Sequence, residues 1–421
     1  KDYEIDLDMK KGILYRSYTW IEGEKEIRFT FKRFVSAATK ELAVVEVTAE
    51  VIKGAATIIF IPKMDGNVKN EDSNYEENFW LEMKRVSGEK SSLTTKTIEN
   101  PFGVEQFTVT TMMESSAENY ERREFSEGFM QVEEKITYKL AAGEKAEVIK
   151  FVSVLTSRDV QPENQQTVAA EILDQAIAMG VEAVEAEHIA IWEERWHKAD
   201  VVIEGDAESQ QGIRFSIFQL FSTYYGEDNR LNIGPKGFTG EKYGGATYWD
   251  TEAFILPMYL SVADEKVSEQ LLTYRHNQLP GAFHNAKQQG LQGALYPMVT
   301  FNGIESHNEW EITFEEIHRN STIAYAIYNY TNYTGDESYL VETGIDVLVG
   351  ISRFWADRVH FSKRNQKYMI HGVTGPNEYE NNVNNNYHTN NMATWTLQYT
   401  LDALKKVSPE KWAEHGLTEA E

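Results

Sequence analysis

Cysteine is absent from all 421 residues. Its absence excludes a disulfide framework, a thiolate metal site and a cysteine nucleophile, and it favours an intracellular, cytoplasmic setting. Positive charge is scarce: 41 Lys and Arg stand against 66 Asp and Glu, a formal net charge of −25. Nucleic acid and anionic membrane surfaces recruit Lys and Arg, so neither is an expected partner. No run of about 18 apolar residues occurs, so no membrane-spanning helix is expected. No signal-peptide pattern opens the chain. It starts at Lys1 rather than Met and reads as β structure from Tyr3 onward, as an N-terminally trimmed fragment would. An internal repeat of constant period is also missing, which argues against a solenoid.

What is present describes a globular chain. Hydrophobic residues make up 41% and aromatics 12%, and the length calls for two domains, each able to bury a substantial core. Over 1–160 the segments 11–20, 27–35, 42–52, 105–113 and 148–155 are rich in Val, Ile, Thr, Tyr and Phe, several with apolar and polar residues alternating. This predicts a large antiparallel β-sandwich interrupted by polar loops such as 63–78. Residues 161–205 read as a helical linker, with Ile189, Ile191, Trp192 and Trp196 forming a packing stripe. Residues 206–421 turn helical, with helices expected over 210–225, 252–263, 266–278, 317–333, 338–361 and 389–404. Long loops rich in Gly, Pro, Asn and aromatics separate them. The chain is thus α+β and multidomain, and its helices lead into loops suited to one end of a helical barrel. It stops at Leu-Thr-Glu-Ala-Glu within the helical pattern, without an obvious closing element.

Three of those loops carry chemistry. The first, 234–260, is Gly-rich and ends in Trp249 and Asp250 before an apolar helix. Trp249 offers a flat face to a pyranose ring and Asp250 an acceptor for its hydroxyls, although Asp250 or Thr251 could equally serve as a helix cap. Its glycines do not make a phosphate loop, because no Gly-Lys-Ser/Thr follows. The second, 293–316, gathers His307, Glu309, Trp310, Glu311 and Glu315. It lacks the His-Glu-x-x-His spacing of a helical zinc site, so no metal is expected. The third, 371–392, has Gly372, Gly375 and Pro376 as breakers and a high density of asparagine amides, suited to the hydroxyls of a sugar. Within it Glu378 stands between Asn377 and Tyr379, just past a Gly-Pro turn.

Together these segments (YWDTEAF, GALYPMVTFNGIESHNEWEITFEE and HGVTGPNEYENNVNNNYHTNN) resemble the maltose phosphorylases of glycoside hydrolase family 65, over essentially the whole length. The resemblance implies an N-terminal β-sandwich, a linker and the first half of an (α/α)6 barrel. It implies that Glu378 is the catalytic general acid, with Asn377 beside it in the same motif. Trp249 and Asp250 match a donor-sugar motif and Trp310 and Glu311 a further sugar-binding pair, while the loop from His307 to Glu315 matches one that shapes the acceptor subsite. The implied reaction is inverting phosphorolysis of maltose to β-glucose 1-phosphate and glucose. Inorganic phosphate is the co-substrate, no cofactor is implied, and its binding groups are expected beyond residue 421. The family also implies a homodimer. Alternatives remain open: a sister phosphorylase acting on trehalose, kojibiose or nigerose, an α-glucoside hydrolase, or a non-catalytic carbohydrate-binding protein.

Overall fold

A computed structural model describes residues 1–69, 78–100, 104–237, 242–418 except 308–310, and 420–421. The chain divides into two compact units, Lys1–His197 and Lys198–Glu421.

The first unit is built on antiparallel strands. These are β1 (Glu4–Asp8), β2 (Ile13–Glu22), β3 (Lys25–Val35), β4 (Leu42–Lys53), β5 (Ala55–Phe60), β6 (Lys63–Asp65), β7 (Trp80–Val86), β8 (Ser91–Thr97), β9 (Thr108–Ala117), β10 (Arg122–Gly128), β11 (Gln131–Ala141) and β12 (Lys145–Thr156). One sheet runs β1-β2-β3-β4-β12-β9-β8-β7, and a smaller one runs β10-β11-β5 with β6 also paired to β11. Period-two sequence dictates the sandwich. Along β11, Val132, Glu134, Ile136, Tyr138 and Leu140 are buried while Lys135, Lys139 and Ala141 are exposed. Ile136, Tyr138 and Leu140 meet Ile58 and Phe60 and, from the larger sheet, Ile27, Val51 and Val148. Such alternation places one apolar face in the core and leaves the other to water. β6 lies at the start of the stretch expected as a loop, and 70–77 of that stretch fall outside the described residues.

The larger sheet has a second apolar face. Ile13, Phe34, Leu42, Met112, Phe151 and Leu155 on it are covered by Ala169, Leu173 and Ala176 of α1 (Gln165–Met179) and by Val181 and Val184 of α2 (Val181–Ala199). The stretch given to a linker in the sequence is therefore part of the first unit's core up to His197. Trp192 and Trp196 are buried as well, and Trp196 Nε1 donates to the Met9 carbonyl at 2.8 Å.

The second unit is helical: α3 (Ala207–Thr223), α4 (Leu256–Val262), α5 (Glu265–Asn277), α6 (Leu279–Gln288), α7 (Ile312–Glu315), α8 (Arg319–Thr334), the short α9 (Glu337–Tyr339), α10 (Ile345–Arg358), α11 (Tyr387–Leu404) and α12 (Pro409–Glu414). A hairpin of β13 (His360–Ser362) and β14 (Lys367–Met369) follows α10. The sequence extends that helix to residue 361, but the backbone turns extended at Val359. α6 lies where a loop was expected. Its Pro280 and Gly281 look like turn signals, yet proline fits a first helical turn, and a Cβ on Gly281 would lie 2.3 Å from the Gly303 carbonyl oxygen. Packing against α4, α5, α10 and α11 makes α8 the hub. Every residue from Arg319 to Ala324 is buried.

Candidate active site

The groups of interest lie around the N-terminal end of α8. Polar side chains hold that end rather than apolar ones. Arg319 donates through Nε to the Tyr296 carbonyl at 2.6 Å and through Nη1 to the Glu316 carbonyl at 2.8 Å. Asn320 accepts from Tyr296 N and donates to the Ala294 carbonyl. A wholly buried Arg275–Glu252 pair lies nearby, with Nε–Oε1 at 2.6 Å and Nη2–Oε2 at 2.9 Å. Arg275 Nη2 also reaches the Tyr248 carbonyl at 3.1 Å, which fixes the backbone just before Trp249. Desolvated charges persist only when paired this closely.

Trp249 and Asp250 open a single π turn (Thr251–Ile255) that leads into α4. Such a turn widens the helix locally and is frequent at functional sites. Here the cap reading of Asp250 is decided: its side chain makes no capping hydrogen bond, and the Thr251 hydroxyl donates instead to the Ile233 carbonyl at 2.6 Å. Burial pushes the Asp250 carboxyl above the ordinary carboxylate range; Glu252 and Glu378 add to this and Lys236 opposes it. The indole of Trp249 meets His318 edge to face, centroids 5.1 Å apart, and His318 meets His388 at 5.3 Å in the same manner.

Beneath them lies Glu316, fully buried, with Oε1 3.7 Å from His318 Nε2. That distance is too long for a hydrogen bond. Burial pushes the Glu316 carboxyl up to about 8, with Arg319 opposing and Glu378 and Asp250 adding. Burial likewise pushes His318 down to about 3, so the imidazole is neutral. Both groups are thus uncharged at neutral pH.

The loop 371–386 presents Glu378. Its stems pair at Val373 and Val383, each N–H donating to the other carbonyl at 2.9 Å. Glu315 ties both stems to α7: its Oε2 accepts from Thr374 Oγ1 at 2.7 Å and from Asn382 N at 2.6 Å, and its carbonyl accepts from Thr374 N at 3.1 Å. The asparagines are spent largely on the loop itself. Asn385 Oδ1 accepts from Ile370 N, Asn384 Oδ1 from Gly372 N, and Asn386 Oδ1 from Thr389 N as the cap of α11. Asn382 and Asn385 take left-handed backbone at φ 54° and 56°, which asparagine tolerates. Three of the side-chain carbonyl oxygens thus build the turn. Gly375 is required by close approach, since a Cβ there would lie 2.6 Å from Asn386 Nδ2. Glu378 is left-handed too, at φ 56°, and its N–H donates to the Gly375 carbonyl at 3.0 Å. A glutamate held there is strained, a condition that clusters at functional sites.

Of the residues picked out in the sequence, Trp249, Asp250 and Glu378 converge on the Glu316–His318 pair. Asn377 is exposed beside Glu378. Glu311 is exposed at the start of α7, without a capping bond. His307 is half-buried, its N–H donating to Glu305 Oε1 at 3.3 Å. Glu315, given to the acceptor subsite by the resemblance, turns its carboxylate onto the 371–386 loop. Trp310, like Asn308 and Glu309, lies outside the described residues. Glu316, His318, Arg319 and the buried Glu305, which also accepts from Met298 N and Val299 N, were not singled out beforehand. The available signal was the run Glu-Glu-Ile-His-Arg-Asn, charged on both sides of a lone isoleucine at a helix start. Among the described residues no group of three or more His, Asp or Glu is placed to hold a metal ion.

Residues 1–195 match the model of the glycosyl hydrolase family 65 N-terminal domain, and 214–421 that of the family's central catalytic domain. Maltose phosphorylase of Bacillus subtilis is 56% identical over 100% of this chain and 55% of its own length. Alpha,alpha-trehalose phosphorylase of Thermoanaerobacter brockii is 33% identical over 97% of this chain and 54% of its own. A solved structure described as a candidate kojibiose phosphorylase from the human microbiome superposes with TM-score 0.90 at 27% identity, covering 100% of this chain and 55% of that one. The chain therefore spans about half the length of the relatives it matches.

Proposed function

This chain belongs to glycoside hydrolase family 65, and from that premise we propose that it is the sandwich and catalytic-site half of an inverting maltose phosphorylase. The observation that carries the reading is the 56% identity, along the whole chain, to a maltose phosphorylase, against 33% to a trehalose phosphorylase. The convergence of Trp249, Asp250 and Glu378 supports it.

Glu378 acts as general acid, protonating the glycosidic oxygen as the bond to C1 breaks. Phosphate attacks C1 from the opposite face, which inverts the centre and yields β-glucose 1-phosphate. An inverting hydrolase needs a second carboxylate about 6.5–9.5 Å away to activate water. Phosphate is already anionic and needs fixed donors instead. Trp249 stacks on the donor ring and Asp250 bonds its hydroxyls, while His307, Trp310 and Glu311 shape the acceptor subsite with Asn377 at its edge. The helices of the second unit form part of an (α/α)6 barrel, and the enzyme is a cytoplasmic homodimer. Family membership supports these last points, and sedimentation of the purified protein tests the dimer.

The direct test is incubation of the full-length polypeptide with maltose and phosphate. β-Glucose 1-phosphate and glucose are expected in equal amounts. Release of glucose alone, independent of phosphate, would make the protein a hydrolase.

A further inference from the structure

We infer that Glu316 is a positioning residue for the acid: its carboxyl and that of Glu378 hold one proton between them, without Glu316 touching substrate. The inference rests on Glu378 being the acid of the proposed phosphorolysis.

The geometry begins with an anomaly. Glu316 is fully buried, yet neither of its carboxyl oxygens receives a hydrogen bond from a donor. A buried polar group without a partner is costly. Its cationic neighbour does not supply one, because Arg319 directs Nε and Nη1 to the Tyr296 and Glu316 carbonyls. His318 stands 3.7 Å away, too far for its imidazole to bond the carboxyl. The remaining groups facing the carboxyl are acids: Glu378 from the loop and Asp250 from the π turn. Behind them stand His388, which faces His318 from α11, and Lys236, which faces Asp250. Ionised carboxylates only accept hydrogen bonds, so two of them cannot bond each other. One proton between them turns repulsion into a bond.

Glu315 and Glu316 divide the labour. Glu315 pins Thr374 and Asn382, the two stems on either side of Glu378, so the backbone around Glu378 is tied to the residue next to Glu316. The raised titration of Glu316 toward about 8 fits a pair that keeps its last proton at neutral pH. The two protons of a turnover balance. One passes from Glu378 to the leaving oxygen as its bond to C1 breaks. Monohydrogen phosphate sheds another as its oxygen bonds to C1, and that proton recharges the pair.

The test is the pH profile of kcat for maltose phosphorolysis by the full-length polypeptide. In Glu316→Gln the uncharged amide removes the repulsion that holds the proton, so the alkaline limb should move acidward by at least about one pH unit, a loss of roughly tenfold per unit on that limb. KM for maltose should stay within about twofold, and Glu316→Asp should restore most of the limb. An unmoved limb in Glu316→Gln, or a loss equal at every pH that Asp does not rescue, overturns the inference and leaves the phosphorylase reading intact. A wild-type protein that forms no glucose 1-phosphate sinks the phosphorylase reading instead. The shared proton is then judged by infrared titration of the wild type, which also decides the matter if the variants do not fold. A protonated carboxyl band persisting at pH 7 supports the pair, and its absence overturns it.

Discussion

At the scale of single residues, the candidate site sets an exposed carboxyl, Glu378, beside a buried one, Glu316. Glu378 is exposed and strained, and Glu378→Gln keeps its shape while removing the proton. Turnover should fall by roughly 10²- to 10⁴-fold with maltose binding nearly unchanged, read by single-turnover kinetics beside calorimetric titration. A loss under about tenfold would place the acid elsewhere, with Glu380 and Glu311 next to be tested. Asp250 permits a sharper prediction now that its capping role is gone. Its titration is raised by burial, so ionising it costs stability as pH rises through the folded value, and removing it relieves that cost at pH 7. Asp250→Ala should therefore lower kcat/KM without lowering the melting temperature at pH 7. A fall of several degrees with normal kinetics would restore a structural role. Trp249, Asp250 and Glu378 stand out in the sequence because each lies in a loop punctuated by glycine or proline. Glu316, His318 and Arg319 do not. Nothing in a helix's spacing distinguishes a charged residue turned inward from one turned to water; the partners that permit burial, such as the Tyr296 carbonyl under Arg319, are distant in sequence.

At the scale of elements, the β strands could be read because burial imposes period two on β11 and its neighbours. Elements set by close approach could not. α6 needs Gly281 against the Gly303 carbonyl, and the β13–β14 hairpin follows a helix whose apolar pattern continues past its end. The asparagine-rich loop was legible as a loop, but it was not legible that the amide oxygens of Asn384, Asn385 and Asn386 accept from neighbouring backbone N–H groups. The same division runs through residues 307–315, where Glu311 is exposed while Glu315 anchors the 371–386 loop through three hydrogen bonds. Grafting the matching loop of a trehalose phosphorylase over 307–314, with Glu315 kept, should change the linkage made from β-glucose 1-phosphate and glucose and leave kcat within about tenfold. A graft that also replaces Glu315 with Ala should lose far more kcat, because unmatched buried polar groups cost about 1–3 kcal/mol each. Product linkage by NMR decides. A chimera that is active and still makes only maltose would move acceptor choice to another segment.

At the scale of the whole molecule, the division into two units sets where the chain can be cut. Composition puts the end of the β domain near residue 160, where strand-like sequence stops. Contacts put it at His197, because the sandwich has two apolar faces to cover and the smaller sheet covers one. Ala169, Leu173, Ala176, Val181 and Val184 close the other. A sheet face of that kind, left bare, is an exposed apolar patch of the sort that drives association. A fragment of residues 1–197 should then fold as a monomer with β-rich circular dichroism and a single cooperative melt. A fragment of residues 1–160 should aggregate or bind a hydrophobic dye such as ANS. Polar substitution tests the cause: Leu173→Asp within 1–197, which places a charge at a fully buried position, should reproduce the behaviour of the shorter fragment. Equal melting temperatures for 1–160 and 1–197 would mean that α1 and α2 are dispensable to the sandwich, and that the boundary lies where strand-like composition ends.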